Sequence, residues 1–234
     1  MLAETRTNAG MDNISTFAKL QHSHRPGDRM IATMTAGNLA ISQAVMNLIQ
    51  DGIPDSESGE LETIFSVTSM IHAAALVGKA VREVHRNHAE AMKDTGVTFD
   101  VSILMGGQLA GRTMRLFHIY AAGNFIEATR DTPFLQIGEH KYGKPILDRS
   151  VTSATSLSDG VKLALISMDS TLRSNLSVGL PLDLLVYQND TIDAFEVHRI
   201  ADQDPYFAMI RDRWSTALRD AQRSIAVADW LQVK

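Results

Sequence analysis

Three charged side chains near the start of the sequence have the types and the spacing that could activate a nucleophile. Glu4 and Arg6 stand close together, and Lys19 follows them after a short polar segment. A partly desolvated lysine ammonium favours the deprotonated form of a neighbouring hydroxyl, and a carboxylate beside it tunes the pair. An activated hydroxyl is a nucleophile for acyl transfer. The alternative is a solvated strand end with a surface lysine, which would have no catalytic role.

The residues around these charges resemble the proteasome-type β-subunits of the N-terminal-nucleophile hydrolases. The similarity covers nearly the whole chain and is greatest to the bacterial Anbu branch, the ancestral β-subunit. Three segments carry it: Thr5-Arg6-Thr7-Asn8-Ala9-Gly10, Gly106-Gly107-Gln108 and Ser174-Asn175-Leu176-Ser177-Val178-Gly179. The resemblance implies an α+β fold, a four-layer α/β/β/α sandwich of two antiparallel sheets. It also implies peptide or amide substrates, self-assembly into a ring or an open helix, and no cofactor or metal.

The resemblance assigns a role to each candidate site residue. Glu4 stands where the family usually has an aspartate, Lys19 matches the catalytic lysine, and Arg6 acts as a structural clamp next to Gly10. Gly37 matches the turn whose backbone N–H stabilises the oxyanion, a contribution of about 2.7 to 4 kcal/mol in acyl transfer. Asn175 and Ser177 are further catalytic candidates, and the residues expected to line the substrate cleft are Asn8, Thr35, Leu39 and Glu139.

The nucleophile of this family is the first residue of the mature chain, on a strand well before the acidic residue. Only Met1, Leu2 and Ala3 precede Glu4. We therefore expect that Met1 is an internal methionine of a longer native chain and that the strand with the nucleophile lies upstream. Residues 1–234 alone are then expected to be inactive. The type of the nucleophile stays open.

Some positions depart from the family pattern and leave a second function open. Glu139 stands in place of a serine, Asn175 in place of an aspartate, and Glu4 is one methylene longer than the usual aspartate. These changes favour the alternative of a catalytically silent subunit that forms a scaffold or compartment. A non-proteolytic amidase on the same fold is a third possibility.

Length and composition are those of one globular domain. The chain has 234 residues, of which 44% are hydrophobic and 21% charged, which suits a single core. A net charge of -5 with scattered Lys and Arg disfavours nucleic acid as a partner. The sequence has no cysteine, so disulfides and thiolate chemistry are excluded, and it has no apolar run long enough for a membrane span. We expect one cytoplasmic domain, residues 1–234, with a helical extension over about 204–232.

The apolar periodicity predicts the elements that hold the site. A strand over 31–35 leads through Ala36-Gly37-Asn38 into a helix over 39–49. Further helices are predicted over 64–84, from 156 to 168, and from 204 onward. Short strands separated by glycine turns, Gly106-Gly107 among them, are predicted over 99–105, 115–121, 124–129, 133–137, 182–187 and 192–200. The first two helices are more apolar than one sheet contact requires, so we expect them to form subunit contacts.

Overall fold

Two antiparallel sheets face each other in the computed structural model, which describes residues 1–7, 16–55, 58–95 and 98–231. The larger sheet has five strands in the order β2-β3-β6-β7-β8: β2 (Leu20–Arg25), β3 (Arg29–Gly37), β6 (Val101–Leu109), β7 (Arg115–Ile119) and β8 (Phe125–Glu127). The smaller sheet has the order β1-β9-β10: β1 (Leu2–Glu4), β9 (Leu182–Tyr187) and β10 (Phe195–Ile200). A separate two-stranded ribbon is formed by β4 (Ile53–Pro54) and β5 (Leu61–Glu62).

Three of the helices begin at a polar side chain that caps them. The helices are α1 (Leu39–Asp51), α2 (Met70–Thr95), α3 (Lys144–Ser150), α4 (Leu157–Ser174) and α5 (Pro205–Ser224). Asn38 accepts the Ile41 N–H at 3.2 Å before α1, and Asp204 accepts the Phe207 N–H at 2.7 Å before α5. Each cap satisfies a backbone donor that the first helical turn leaves free.

Three apolar clusters divide the molecule into four layers. α1 and α2 pack on one face of the larger sheet, through residues such as Val45, Val77 and Ile103. A second cluster fills the space between the sheets, and a third joins the smaller sheet to α4 and α5 through Leu165 and Phe207. The order is therefore helices, sheet, sheet, helices. The predicted α+β sandwich of two antiparallel sheets is confirmed.

Some element boundaries differ from the prediction. Residues 64–66 form a turn, and α2 begins only at Met70. Residues 133–137 form no strand, because Leu135 and Ile137 pack against the cluster between the sheets without a strand partner. Strand β2 and helix α3 were not predicted. Near the C-terminal end, α5 ends at Ser224 and a 3₁₀ turn follows at Asp229–Leu231, within the range expected for the helical extension.

Gly106 and Gly107 do not form the predicted hairpin turn, because both lie inside β6. A Cβ atom on Gly107 would stand 2.1 Å from the carbonyl oxygen of Met30 in β3. Only glycine permits this close approach of two strands. The two glycines therefore serve strand packing and not chain reversal.

Most apolar residues of α1 and α2 are buried in the core, and the role of these helices in subunit contacts stays a prediction. Val45 and Val77 are fully buried, whereas Ile71 is 46% exposed. A stronger apolar surface lies after α5, where the four exposed hydrophobic residues are Ile225, Val227, Trp230 and Leu231. Within the described part of the chain, no helix is both long enough and apolar enough to cross a membrane.

Candidate active site

Lys19 and Glu4 meet where the two sheets face each other. Glu4 ends β1 in the smaller sheet, and Lys19 directly precedes β2 in the larger one. The Lys19 ammonium donates hydrogen bonds to Glu4 Oε1 and, at 2.7 Å, to the backbone oxygen of Arg6. Its side chain is only 22% exposed. The predicted pairing of these two side chains is confirmed.

The carboxyl group of Glu4 is in an unusual environment. Burial raises its pKa above the ordinary value, and the hydrogen bond and charge of Lys19 oppose the shift, together with the backbone N–H groups of Arg6 and Gly179. Desolvation penalises the charged form, so burial prevails over the nearby ammonium. Its Oε2 atom is buried and has no hydrogen-bond partner among the described residues.

Arg6 fixes the segment between α4 and β9 against the start of the chain. Its Nη1 donates to the backbone oxygen of Leu176 at 2.7 Å. A Cβ atom on Gly179 would lie 2.5 Å from Arg6 Nε, so glycine lets the guanidinium pack against the backbone. These contacts are compatible with the clamp expected of Arg6, and its role stays a prediction. Sequence reasoning quoted Gly179 within a motif but missed its contact with the guanidinium.

Thr5 is not available as a nucleophile. It is 1% exposed, and both its N–H and its hydroxyl donate to the backbone oxygen of Pro181, at 3.1 and 2.8 Å. Its hydroxyl is thus engaged in a hydrogen bond with the backbone that follows α4.

Gly37 ends β3 with a free backbone donor on the side of Lys19. The Asn38 N–H pairs with Asp100 O on one side of β3, and the Thr35 N–H pairs with Lys19 O on the other. Because N–H directions alternate along a strand, the Gly37 N–H points to the side of Lys19. It has no backbone partner among the described residues. Gly37 has φ +100°, and a Cβ there would lie 2.5 Å from Asp100 O, so this turn requires glycine.

Glu139, Asn175 and Ser177 form a second polar group. Asn175 Nδ2 donates to Glu139 Oε2 at 2.9 Å, and the Ser177 N–H donates to Asn175 Oδ1 at 2.8 Å. The Lys141 N–H donates to Glu139 Oε1 at 2.8 Å and is the main cause of a pKa below the usual range for this carboxyl. The three residues thus bind one another, and none of these contacts reaches Lys19.

One cleft of about 750 Å³ lies between the two polar groups. Glu4, Lys19, Thr35 and Glu139 line it, together with apolar side chains from both sheets. Gly37, Leu39, Asn175 and Ser177 do not line it, and their assigned roles stay predictions. Asn8 and Gly10 lie outside the described residues.

The cleft borders a free strand edge. The Thr5 N–H pairs with Pro181 O, and the Met1 oxygen accepts the Leu185 N–H, so these residues face β9. By alternation, the backbone groups of Leu2 and Glu4 point the other way. Among the described residues, β1 is an edge strand of its sheet, and its residues line the cleft. The cleft therefore offers main-chain donors and acceptors as well as apolar surface.

Replacing Glu4 with glutamine is expected to change the dependence of stability on pH. Because burial raises the folded-state pKa, the contribution of Glu4 is fully present below the unfolded value and is lost as pH rises through the folded value. Glutamine does not titrate, so Glu4→Gln should gain stability relative to the wild type between about pH 4 and about pH 7. Urea unfolding at both pH values measures this, with the exposed Glu60→Gln as control. A stability difference that is constant with pH would contradict it.

Several solved structures of Anbu, the ancestral β-subunit, are similar to this chain. Anbu from Yersinia bercovieri is 46% identical with a TM-score of 0.87, over 97% of this chain and 94% of that chain. Anbu from Hyphomicrobium sp. strain MC1 is 49% identical with a TM-score of 0.87, over the same shares. A helical assembly of the Anbu complex from Pseudomonas aeruginosa is 45% identical with a TM-score of 0.87, over 99% and 94%. Neither a scan against family models nor a search of curated proteins found a match.

Proposed function

The chain belongs to the Anbu family of proteasome-like β-subunits, and on this premise we propose that it is a subunit of an N-terminal-nucleophile hydrolase. Its reaction is the cleavage of peptide or amide bonds by acyl transfer. The observation that carries the proposal is the Lys19 ammonium, held by Glu4 and by the Arg6 oxygen at the cleft. Ion pairs at a protein surface are usually well exposed, whereas both Lys19 and Glu4 are mostly buried. Buried charge pairs of this kind are common at functional sites.

The proposed reaction uses a hydroxyl nucleophile on the first residue of a strand. The free α-amine of that residue takes the hydroxyl proton, and the oxygen attacks the substrate carbonyl carbon. The Gly37 N–H stabilises the oxyanion, and the Lys19 ammonium stabilises the developing negative charge. The C–N bond then breaks, the leaving amine takes the proton, and water hydrolyses the resulting ester.

The free edge of β1 supports a position for the strand that carries this nucleophile. An extended segment along the edge would pair with the outward backbone groups of Leu2 and Glu4. Its apolar side chains would enter the space between the sheets, where Met30 and Leu104 line the cleft. Its first residue would then lie beside Glu4 and Lys19. This arrangement would bring hydroxyl, ammonium and carboxylate together.

The test compares residues 1–234 with a form extended upstream to the next in-frame start codon. We expect hydrolysis of short fluorogenic amide substrates only by an extended form whose first residue after methionine removal is threonine or serine. Equal activity of both forms would contradict the proposed position of the nucleophile.

A second function has one observation in its favour. Glu139 and Asn175 are bound to each other and to neighbouring backbone, and none of these contacts reaches Lys19. A subunit that forms a silent scaffold or compartment would tolerate this arrangement. An extended form that assembles but shows no hydrolysis of any amide substrate would favour this function.

Self-assembly is part of the proposal, and a similar Anbu chain is described as a helical assembly. We expect light scattering to give a mass several times 25.7 kDa at micromolar concentration. A double substitution of Ile225 and Trp230 by aspartate tests whether the exposed C-terminal surface forms subunit contacts. A single substitution of Leu61 by aspartate tests the same for the β4–β5 ribbon. A monodisperse monomer of the wild type would contradict self-assembly. A cytoplasmic location belongs to the same proposal and is tested by cell fractionation.

A further inference from the structure

Thr68, His72 and Glu62 form a chain of hydrogen bonds at the N-terminal end of α2. The His72 Nε2 atom lies 3.0 Å from Glu62 Oε1 in the β4–β5 ribbon. On the other side of the ring, His72 Nδ1 accepts the Thr68 N–H at 3.4 Å and lies 3.5 Å from the Thr68 hydroxyl oxygen. A carboxylate, an imidazole and a hydroxyl joined in this order are the three groups of a hydrolase triad.

The contacts of His72 determine which of its nitrogens carries the proton. A backbone N–H can only donate, so Nδ1 is the acceptor, and Nε2 carries the proton that Glu62 accepts. Lys79 Nζ donates to Glu62 Oε2 at 2.9 Å, and the hydrogen bonds from Lys79 and His72 hold the pKa of Glu62 below its ordinary value. The charged carboxylate can therefore stabilise the imidazolium that forms when Nδ1 takes a proton.

This cluster is separate from the cleft that contains Lys19. Helix α2 packs on the face of the larger sheet that is turned away from the smaller sheet. None of the three residues of the cluster lines the cleft. Thr68 is exposed, and the side chains of His72 and Glu62 are 36% and 24% exposed. A small molecule in solution can therefore reach the hydroxyl and the imidazole.

The surroundings supply two further features that an acyl-transfer site requires. The backbone N–H groups of Met70 and Ile71, in the first turn of α2, have no hydrogen-bond partner among the described residues. Such groups stabilise negative charge at the N-terminal end of a helix. Leu61 and Ile71 are 58% and 46% exposed and are next in sequence to Glu62 and His72. Their side chains offer an apolar surface for a short acyl chain.

We propose that Thr68 is the nucleophile of a second acyl-transfer site, whose substrates are esters of short-chain carboxylic acids. The Thr68 oxygen attacks the carbonyl carbon while His72 Nδ1 takes the hydroxyl proton. The C–O bond to the leaving alcohol breaks, and the alcohol takes that proton from His72. Water then gives a proton to the same nitrogen and hydrolyses the acyl-threonine ester, and the Thr68 oxygen recovers the proton. The distance of 3.5 Å suits this role, because catalytic hydrogen bonds are often long before the substrate binds.

The experiment uses residues 1–234 and p-nitrophenyl butyrate, and mass spectrometry locates the butyryl groups. We expect a butyryl group on Thr68 that hydroxylamine removes, because hydroxylamine cleaves esters and leaves the amides of modified lysines intact. His72→Gln should lower the rate of Thr68 acylation by about 100-fold, the lower end of the range for a positioned base. Thr216→Val changes an exposed threonine of α5 and should leave the rate of p-nitrophenol release unchanged.

Two variants test Glu62, which acts through His72 and is a positioning residue. Glu62→Gln keeps an oxygen that can accept the Nε2 proton, so it should lower acylation less than Glu62→Leu, which has no acceptor. Circular dichroism establishes that each variant is folded.

Two results would overturn the second site. They are equal acylation of Thr68 in the wild type and in His72→Gln, and butyryl groups on lysines alone. Either result would show that the cluster only ties the ribbon to α2. The proposed function does not depend on this outcome, because Lys19 belongs to a different site.

Discussion

Replacing Lys19 with methionine in the extended form is expected to lower amide hydrolysis by about 100- to 1,000-fold, the range found for removing one group that stabilises the developing charge. Methionine keeps most of the side-chain length but has no charge, so the hydroxyl loses the ammonium that favours its deprotonated form. The substitution also leaves the Glu4 carboxylate without its main partner. Rates are measured with fluorogenic amides across pH.

Two controls separate chemistry from folding in the Lys19 experiment. Lys162→Met removes a lysine of α4 that pairs with Asp159 at the surface, and it should retain full activity. Lys19→Arg keeps the charge but not the compact ammonium, so it should restore stability without restoring the rate. Full activity of a folded Lys19→Met would show that the cluster does not take part in the reaction.

Gly78→Ala is expected to destabilise the protein by about 2 kcal/mol. A Cβ atom on Gly78 of α2 would stand 2.1 Å from the backbone oxygen of Gly123, which follows β7. Overpacking of this kind costs about 3 kcal/mol, and the higher helix propensity of alanine returns about 1 kcal/mol. Chemical denaturation measures the difference in unfolding free energy.

Gly160→Ala is the matched control, because Gly160 is also helical but has no atom within 4 Å of its added Cβ. Here the propensity term acts alone, so α4 should be stabilised by about 0.5 to 1 kcal/mol. If Gly78→Ala is stabilised as Gly160→Ala is, α2 does not pack closely on the β7–β8 turn in solution.

Local sequence signals predicted the elements that have a capping residue or a glycine at their ends. α1 was predictable because Asn38 caps it and Gly52 follows its last residue. Residues 133–137 were wrongly predicted as a strand, because alternation of Leu135 and Ile137 with polar residues also suits a segment that covers a cleft. Periodicity records which side chains are buried, and it does not record whether a neighbouring strand is present.

The candidate site was predictable in part for a similar reason. Glu4 and Lys19 could be paired from a family resemblance, and their contact was then confirmed. The role of Gly179 depends on a contact between distant segments. Gly179 meets Arg6, so no local pattern marks this residue.

The pairing of β1 with β9 has a consequence for synthesis on the ribosome. Leu2 pairs with Leu184, near the opposite end of the chain, whereas the larger sheet is made entirely of strands between Leu20 and Glu127. The larger sheet can therefore form while β9 is still being translated, but Glu4 has no strand to hold it at Lys19 until β9 emerges. Contacts so distant in sequence form late. A nascent chain is thus expected to bring Glu4 to Lys19 only near the end of its own translation.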